Sequence, residues 1–146
     1  MSASPRSIRP IVFTSDAIAA TPTEAFSADV DGGKVEWKTL ISSGRTPSDT
    51  FTSGIATCAP KGGHLKAHRH TQPEMYYIIR GRGIVSIDDA EYEVQRGAVV
   101  FIPRDAEHGI RNMDEEKDLV WLYVFATDKF EDVVYRFSDN KPKARL

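Results

Sequence analysis

The stretch "HLKAHRHTQPEMYYIIRG", residues 64–81, places three histidines and a glutamate within eleven residues and runs directly into an apolar segment of β type. The whole chain has four histidines, so nearly all of its imidazole is spent here. Side chains of a strand alternate faces, so His68 and His70 project to the same side and can grip one cation. Glu74 follows His70 by four residues and opens "EMYYIIR", and thirty-four residues later His108 opens another strand-like segment. Imidazole nitrogens suit Zn, Cu, Fe and Ni, and a carboxylate extends the range toward Mn and Fe(II). A barrel of strands can bring these four side chains together.

The surrounding sequence supplies such strands. From Val35 onward short β-type segments follow one another: "VEWKTLI", "FTSGIATC", "EMYYIIR", "GIVSI", "EYEV", "AVVFI", "HGIRN" and "LVWLYVFA". Turn signals such as "RGRG", "DDAE" and "QRGA" separate them, and no middle stretch is long and periodic enough for a core helix. This pattern predicts an all-β sandwich or barrel. Residues 1–30, rich in Ser, Ala, Thr and Pro, read as an N-terminal arm, and residues 31–146 as one domain. Near the C-terminus Phe130, Val133, Val134 and Phe137 fall at helical spacing, which predicts a short helix or an ordered tail packed on the barrel.

Composition narrows the partners. At 146 residues, 40% apolar and 27% charged, the chain is long enough to bury one core and too apolar to remain disordered. A net charge of −2 provides no positive field for phosphate backbones or anionic lipid, so a small-molecule substrate is expected and nucleic acid is not. The sequence contains no apolar run of membrane-spanning length and no signal-type core, which predicts a soluble cytoplasmic protein without membrane association. The single cysteine, Cys58, has no partner for an internal disulfide and reads as a small core residue.

The spacing of the histidine cluster is that of the cupins, which share two motifs. Gly62, His68, His70, Glu74 and Gly81 satisfy every interval of the first motif, and Gly97, Pro103, His108 and Asn112 those of the second. Asp105 stands where the second motif usually has glycine, and aspartate is among the few residues that enter left-handed backbone conformations. The resemblance is to small single-domain RmlC-like cupins. It implies a double-stranded β-helix, the jelly-roll barrel, with His68, His70, Glu74 and His108 as ligands of a divalent transition metal: Fe, Mn, Ni, Zn or Co. It also implies a homodimer in which residues 8–14 of the arm add to a neighbouring sheet. His64 lies outside the motif, and the glycines before it predict a loop position, with a role at the rim of the site as the alternative.

Strand parity adds one further residue. If Glu74 points into the barrel, Tyr76, Ile78 and Arg80 share its face and Met75, Tyr77 and Ile79 point away. Tyr76 is then a neighbour of the metal and a candidate general base, since a nearby cation favours phenolate. The segments "EMYYIIRGRGIV", "GAVVFIPRDAEHGIRN" and "WLYVFATDKFEDVVY" resemble the cupins that act as dimethylsulfoniopropionate lyases. That likeness implies a metal-dependent β-elimination with Tyr76 as base and Tyr135 as a second catalytic tyrosine. Tyr76, Tyr77, Trp37, Trp121, Tyr123 and Phe125 are candidate faces for a sulfonium group. An Fe(II)-dependent dioxygenase or other oxidative cupin, and a non-catalytic binding protein or an isomerase or dehydratase of secondary metabolism, remain the competing readings.

Overall fold

All eight β-type segments become strands in the structure, a computed structural model that describes residues 7–140. In chain order the strands are β1 (Gly33–Lys34), β2 (Glu36–Ile41), β3 (Thr52–Cys58), β4 (His64–Arg69), β5 (Glu74–Arg80), β6 (Arg82–Ile87), β7 (Ala90–Gln95), β8 (Val99–Ile102), β9 (His108–Asn112), β10 (Leu119–Phe125) and β11 (Arg136–Phe137). Every pairing between them is antiparallel. One sheet runs β2-β3-β10-β5-β8, and the other runs β1-β4-β9-β6-β7 with β11 also paired to β4. This is the two-sheet jelly roll that the resemblance implied.

The core lies between the two sheets, and β5 shows the alternation that builds it. Along β5, Glu74, Tyr76 and Ile78 are buried, while Met75 and Tyr77 are exposed. Across from them, Trp121, Tyr123 and Phe125 of β10 turn inward. Ile78, Val85, Ile102, Leu119 and Cys58 are fully enclosed, and each large apolar side chain so placed contributes about 1.5–3 kcal/mol. Burial pushes the Cys58 thiol up to about 12, which keeps it an inert wall residue. The parity holds up to Ile78 and fails at Arg80. An irregularity between Val120 and Trp121 of β10 shifts the register there, and Arg80 ends exposed.

The ends of the chain are an arm and an ordered tail packed on the barrel, as expected, each with local structure of its own. The arm contains a short helix, α1 (Ser15–Ala20), capped by Thr14, whose hydroxyl accepts from the Ala17 N–H. No residue of α1 is buried. Residues 8–14 form no strand within this chain. The tail makes only one 3-10 turn, Phe130–Asp132, before it extends into β11. Val133 and Phe137 are buried as the helical spacing required, but Val134 is 65% exposed. The backbone reason is the free edge of β4, whose first residues pair with β1 and whose last pair with β11, so that Phe137 sits opposite His68. No helix among the described residues is long and apolar enough to cross a membrane.

The motif glycines carry positive φ, +102° at Gly62, +86° at Gly81 and +93° at Gly97. Asp105 substitutes for glycine in the same way, with φ of +60°. Its backbone N–H donates to the His70 carbonyl at 2.9 Å, which ties the turn before β9 to the end of the ligand strand. Its carboxylate also pairs with Arg136 at 2.7 Å. Asp105→Gly and Asp105→Ala both remove this ion pair, but only alanine must bear the left-handed conformation. Thermal or urea unfolding is expected to find Asp105→Ala less stable than Asp105→Gly by about 1 kcal/mol.

Candidate metal centre

Three elements deliver the histidines. His68 is on β4, His70 follows its end, and His108 opens β9, where it stands in register with His68. All three are at most 1% exposed, and their ligating nitrogens lie within 4.8 Å of one another. Each ring is oriented by the same device. Nδ1 donates to a backbone carbonyl two residues away, on Lys66 at 2.7 Å, Gln72 at 2.9 Å and Ala106 at 2.9 Å respectively. A carbonyl can only accept, so Nδ1 of each ring carries a proton, and a ring with that single proton turns an Nε2 lone pair inward.

Glu74, buried at the start of β5, brings Oε1 to 3.2 Å from Nε2 of both His70 and His108. His68 Nε2 is buried and has no protein partner. Neighbouring lone pairs repel unless they share something positive. Burial and the adjacent His108 imidazole push the His68 pKa well below 6.5, so protonating that ring is unfavourable. A divalent cation satisfies all the facing lone pairs at once, and the donor set of imidazoles and carboxylate fits a first-row transition metal. The three buried histidines could therefore hold a metal, and Glu74 stands beside them as a fourth donor.

His64 is not part of this cluster. β4 does reach back to it, contrary to the loop expectation, but a bulge between Leu65 and His68 reverses the parity. Leu65 points inward before the bulge and His68 after it, so His64 lies on the outer side, with Nδ1 bonded to the Gly62 carbonyl at 2.8 Å. Gly109 accommodates the bulge. A Cβ there would sit 2.9 Å from the Leu65 carbonyl oxygen.

Beside the histidines lies a cavity of about 20 Å³, lined by Glu74, Tyr76, Trp121, Tyr123, Trp37 and Tyr135, and closed by Phe26 and Phe130. The Tyr76 hydroxyl and the Trp37 indole N–H are both buried without a protein partner. Tyr135 packs its ring 4.7 Å from that of His68. Burial, reinforced by the Glu74 carboxylate, pushes both phenols well above 10, so this site holds them protonated. Of the six aromatic candidates, Tyr77 faces outward and Phe125 packs on the His70 ring, while the other four line the cavity.

Sequence reading missed the closure over this cavity. Phe26 from the arm meets Trp37, Tyr135 and Phe137 edge-on at 4.9, 5.4 and 5.5 Å. Arg45 ties the two chain ends together, pairing with Glu24 at 3.0 Å and Glu131 at 2.9 Å. These contacts join residues far apart in sequence, and nothing in the local pattern announces them.

A family profile described as Cupin domain matches residues 54–125. Dimethylsulfoniopropionate lyase DddW of Ruegeria pomeroyi is 41% identical over 106 residues, covering 73% of this chain and 68% of that protein. The chain belongs to the cupin family. Among solved structures, the polyketide cyclase RemF from Streptomyces resistomycificus superposes with a TM-score of 0.69 at 19% identity, over 90% of this chain and 85% of that one. A chain from a structure of the DMSP lyases RdDddP and RnDddQII gives 0.68 at 18% identity, over 84% of this chain and 67% of that one. At such identities these two likenesses establish the fold alone.

Two measurements check the centre. Elemental analysis of purified protein is expected to find about one divalent ion per chain, with at least a tenfold loss in His68→Ala or His108→Ala. In chelated protein the unfolded chain takes up a proton at His68 near 6.5, while the folded ring resists until lower pH. Stability from this residue is thus fully present above about 6.5 and is lost as pH falls toward the depressed folded value. Melting midpoints of metal-free protein, taken from about pH 8 to about pH 5.5, are expected to fall below about 6.5, and to fall less in His68→Gln.

Proposed function

We propose that this cupin is a metal-dependent lyase acting on a small carboxylate, with dimethylsulfoniopropionate as the leading substrate, and with His68, His70, Glu74 and His108 as the metal ligands. The observation that carries the reading is the Tyr76 hydroxyl: buried, unpartnered, two residues from Glu74 and lining the same aromatic cavity. Kinship with a curated dimethylsulfoniopropionate lyase at 41% identity supports the choice of reaction.

When bound, a divalent ion supplies Lewis acidity that draws charge from the substrate carboxylate and acidifies the adjacent C–H. The protein residues do the rest. The Trp37 indole N–H has no acceptor in the fold and offers the carboxylate a donor. Trp37, Tyr123 and Trp121 present ring faces to a sulfonium. As phenolate, Tyr76 removes the proton next to the carboxylate. The electron pair of that C–H bond becomes the new C=C bond, the C–S bond breaks, and its pair leaves on sulfur. Dimethyl sulfide and acrylate result, and Tyr76 retains the proton. Positive charge arriving with substrate and metal opposes the field of Glu74, which favours the phenolate that the buried site otherwise disfavours. Tyr135, its ring tilted at 46° against that of His68, holds that ring in place and serves as the second tyrosine of the site.

Tyr76→Phe is expected to keep its metal and lose at least 100-fold in turnover, measured as release of dimethyl sulfide beside elemental analysis. Wild-type turnover is expected to be equal with and without air. Product that forms only with oxygen and Fe(II) would instead establish an oxidative cupin, and a fully active Tyr76→Phe would remove the base assignment.

A further inference from the structure

We propose that Ala56 sets which substrates the cavity accepts: it floors a slot between two indoles that takes an onium head bearing methyl groups and excludes one bearing larger alkyl groups. This specificity role rests on the lyase reading of the site for its substrate class. Ala56 lies within β3, 4% exposed, in register with Trp37 of β2 on one side and Trp121 of β10 on the other. Directly opposed residues on one face of paired strands stand about 4.5–5.5 Å apart at Cβ, so both indoles flank one methyl group. The chain has two tryptophans, and both are here. All three side chains line the cavity.

The space exists because the inner face of β3 is built from small residues. Thr52, Gly54, Ala56 and Cys58 are all buried there, against the large rings of β10. Of these four, Ala56 alone lines the cavity. The room beside Gly54 is already taken, since a Cβ there would meet the Tyr123 hydroxyl and the Lys38 carbonyl. Thr52 commits its hydroxyl to the Thr127 carbonyl at 2.7 Å, and Cys58 is fully enclosed. What opening the strand leaves between the indoles therefore lies over the Ala56 methyl.

This floor is also the wall that yields least. β3 is paired on both sides, with β2 and with β10, so it has no free edge along which to move away. Phe26 and Phe130, whose rings lie 4.9 and 5.8 Å from that of Trp37, belong to the chain ends. When those rings move, space is gained on their side and none at the strand. A methyl-substituted onium spreads its charge over small groups that fit close to a ring face, whereas longer alkyl groups hold the charge away from it. An apolar pocket of fixed size discriminates one methylene by about 10–200-fold.

Because both tryptophans flank Ala56, tryptophan emission of the purified protein reads occupancy of the slot directly. The probes are 3-(trimethylammonio)propionate and its triethyl homologue. The trimethyl probe is expected to change the emission and to bind wild-type protein about tenfold or more tightly than the triethyl probe. Ala56→Gly is expected to bring the two within about threefold, and Ala56→Val to weaken the trimethyl probe about tenfold or more with metal content unchanged. Should the valine variant fold poorly, the glycine variant decides. Emission unmoved by the trimethyl probe, equal binding of both probes to wild-type protein, or a wild-type preference kept in Ala56→Gly would overturn the proposal. So would a folded Ala56→Val that binds the trimethyl probe as wild type does. Release of dimethyl sulfide is followed in parallel. Its absence from a protein that shows these preferences removes the lyase reading and leaves Ala56 its role, whereas release by a protein whose variants bind both probes alike removes the role and leaves the lyase reading.

Discussion

Each of the three buried imidazoles is held through its Nδ1–H by a carbonyl oxygen two residues away, and those three carbonyls decide the chemistry of the barrel. They fix the tautomer, and the tautomer sets the direction of the lone pair. A ring free to carry its proton on Nε2 would donate to Glu74, and the cluster would close on itself as an ordinary hydrogen-bonded network. With Nδ1 committed to the backbone, the inner nitrogen of a neutral ring can only accept, and Glu74 adds another acceptor at 3.2 Å. Burying acceptors against acceptors is costly, and a cation removes the cost. The jelly roll supports this arrangement from outside: β4 and β9 stand side by side, and the Asp105 turn is bonded to the His70 carbonyl.

Much of this was legible in the sequence because its rule is local. A strand's period of two placed His68 beside His70, and Glu74 beside Tyr76, and all four are buried together. The same rule would have sent His64 inward, and there it fails. The bulge in β4 inserts a residue that no period predicts, and its clearest signature is Gly109 on the facing strand, recognisable only once the pairing of β4 with β9 is known. The tail shows a second kind of failure. Val133 and Phe137 are four apart and both buried, as in a helix, yet the segment between them is extended because the edge of β4 offers it backbone partners. Hydrophobic spacing reports which residues are buried; the available partner decides the backbone that buries them.

The reaction is less firmly encoded than the metal site. The same jelly roll superposes on a polyketide cyclase and on a structure of dimethylsulfoniopropionate lyases with TM-scores of 0.69 and 0.68, so the barrel itself does not select among chemistries. Selection must come from what faces the cavity. Here that is a wall of aromatic rings with two unpartnered donors, Tyr76 and Trp37, and the single carboxylate of Glu74. Under the proposed function, such a wall meets a substrate that carries both a carboxylate and a diffuse cation. The enclosed volume of about 20 Å³ holds no more than a water or so.

That small volume places a demand on the closure. Under the proposed function a small carboxylate reaches the centre when Phe26 or Phe130 moves, and both belong to the chain ends and neither to the barrel strands. The contacts that hold them are of the reversible kind. Edge-on aromatic pairs contribute about 0.5–1.5 kcal/mol each, and the Arg45 pairs, largely exposed, about 0–1 kcal/mol. The histidines, by contrast, are held by backbone hydrogen bonds within and beside paired strands. Opening Phe26 or Phe130 therefore costs a few weak contacts, whereas Tyr135 packs on the His68 ring and leads into β11, which is paired with β4. The centre is thus held firmly where the three histidine nitrogens converge and fastened loosely where Phe26 and Phe130 cover it.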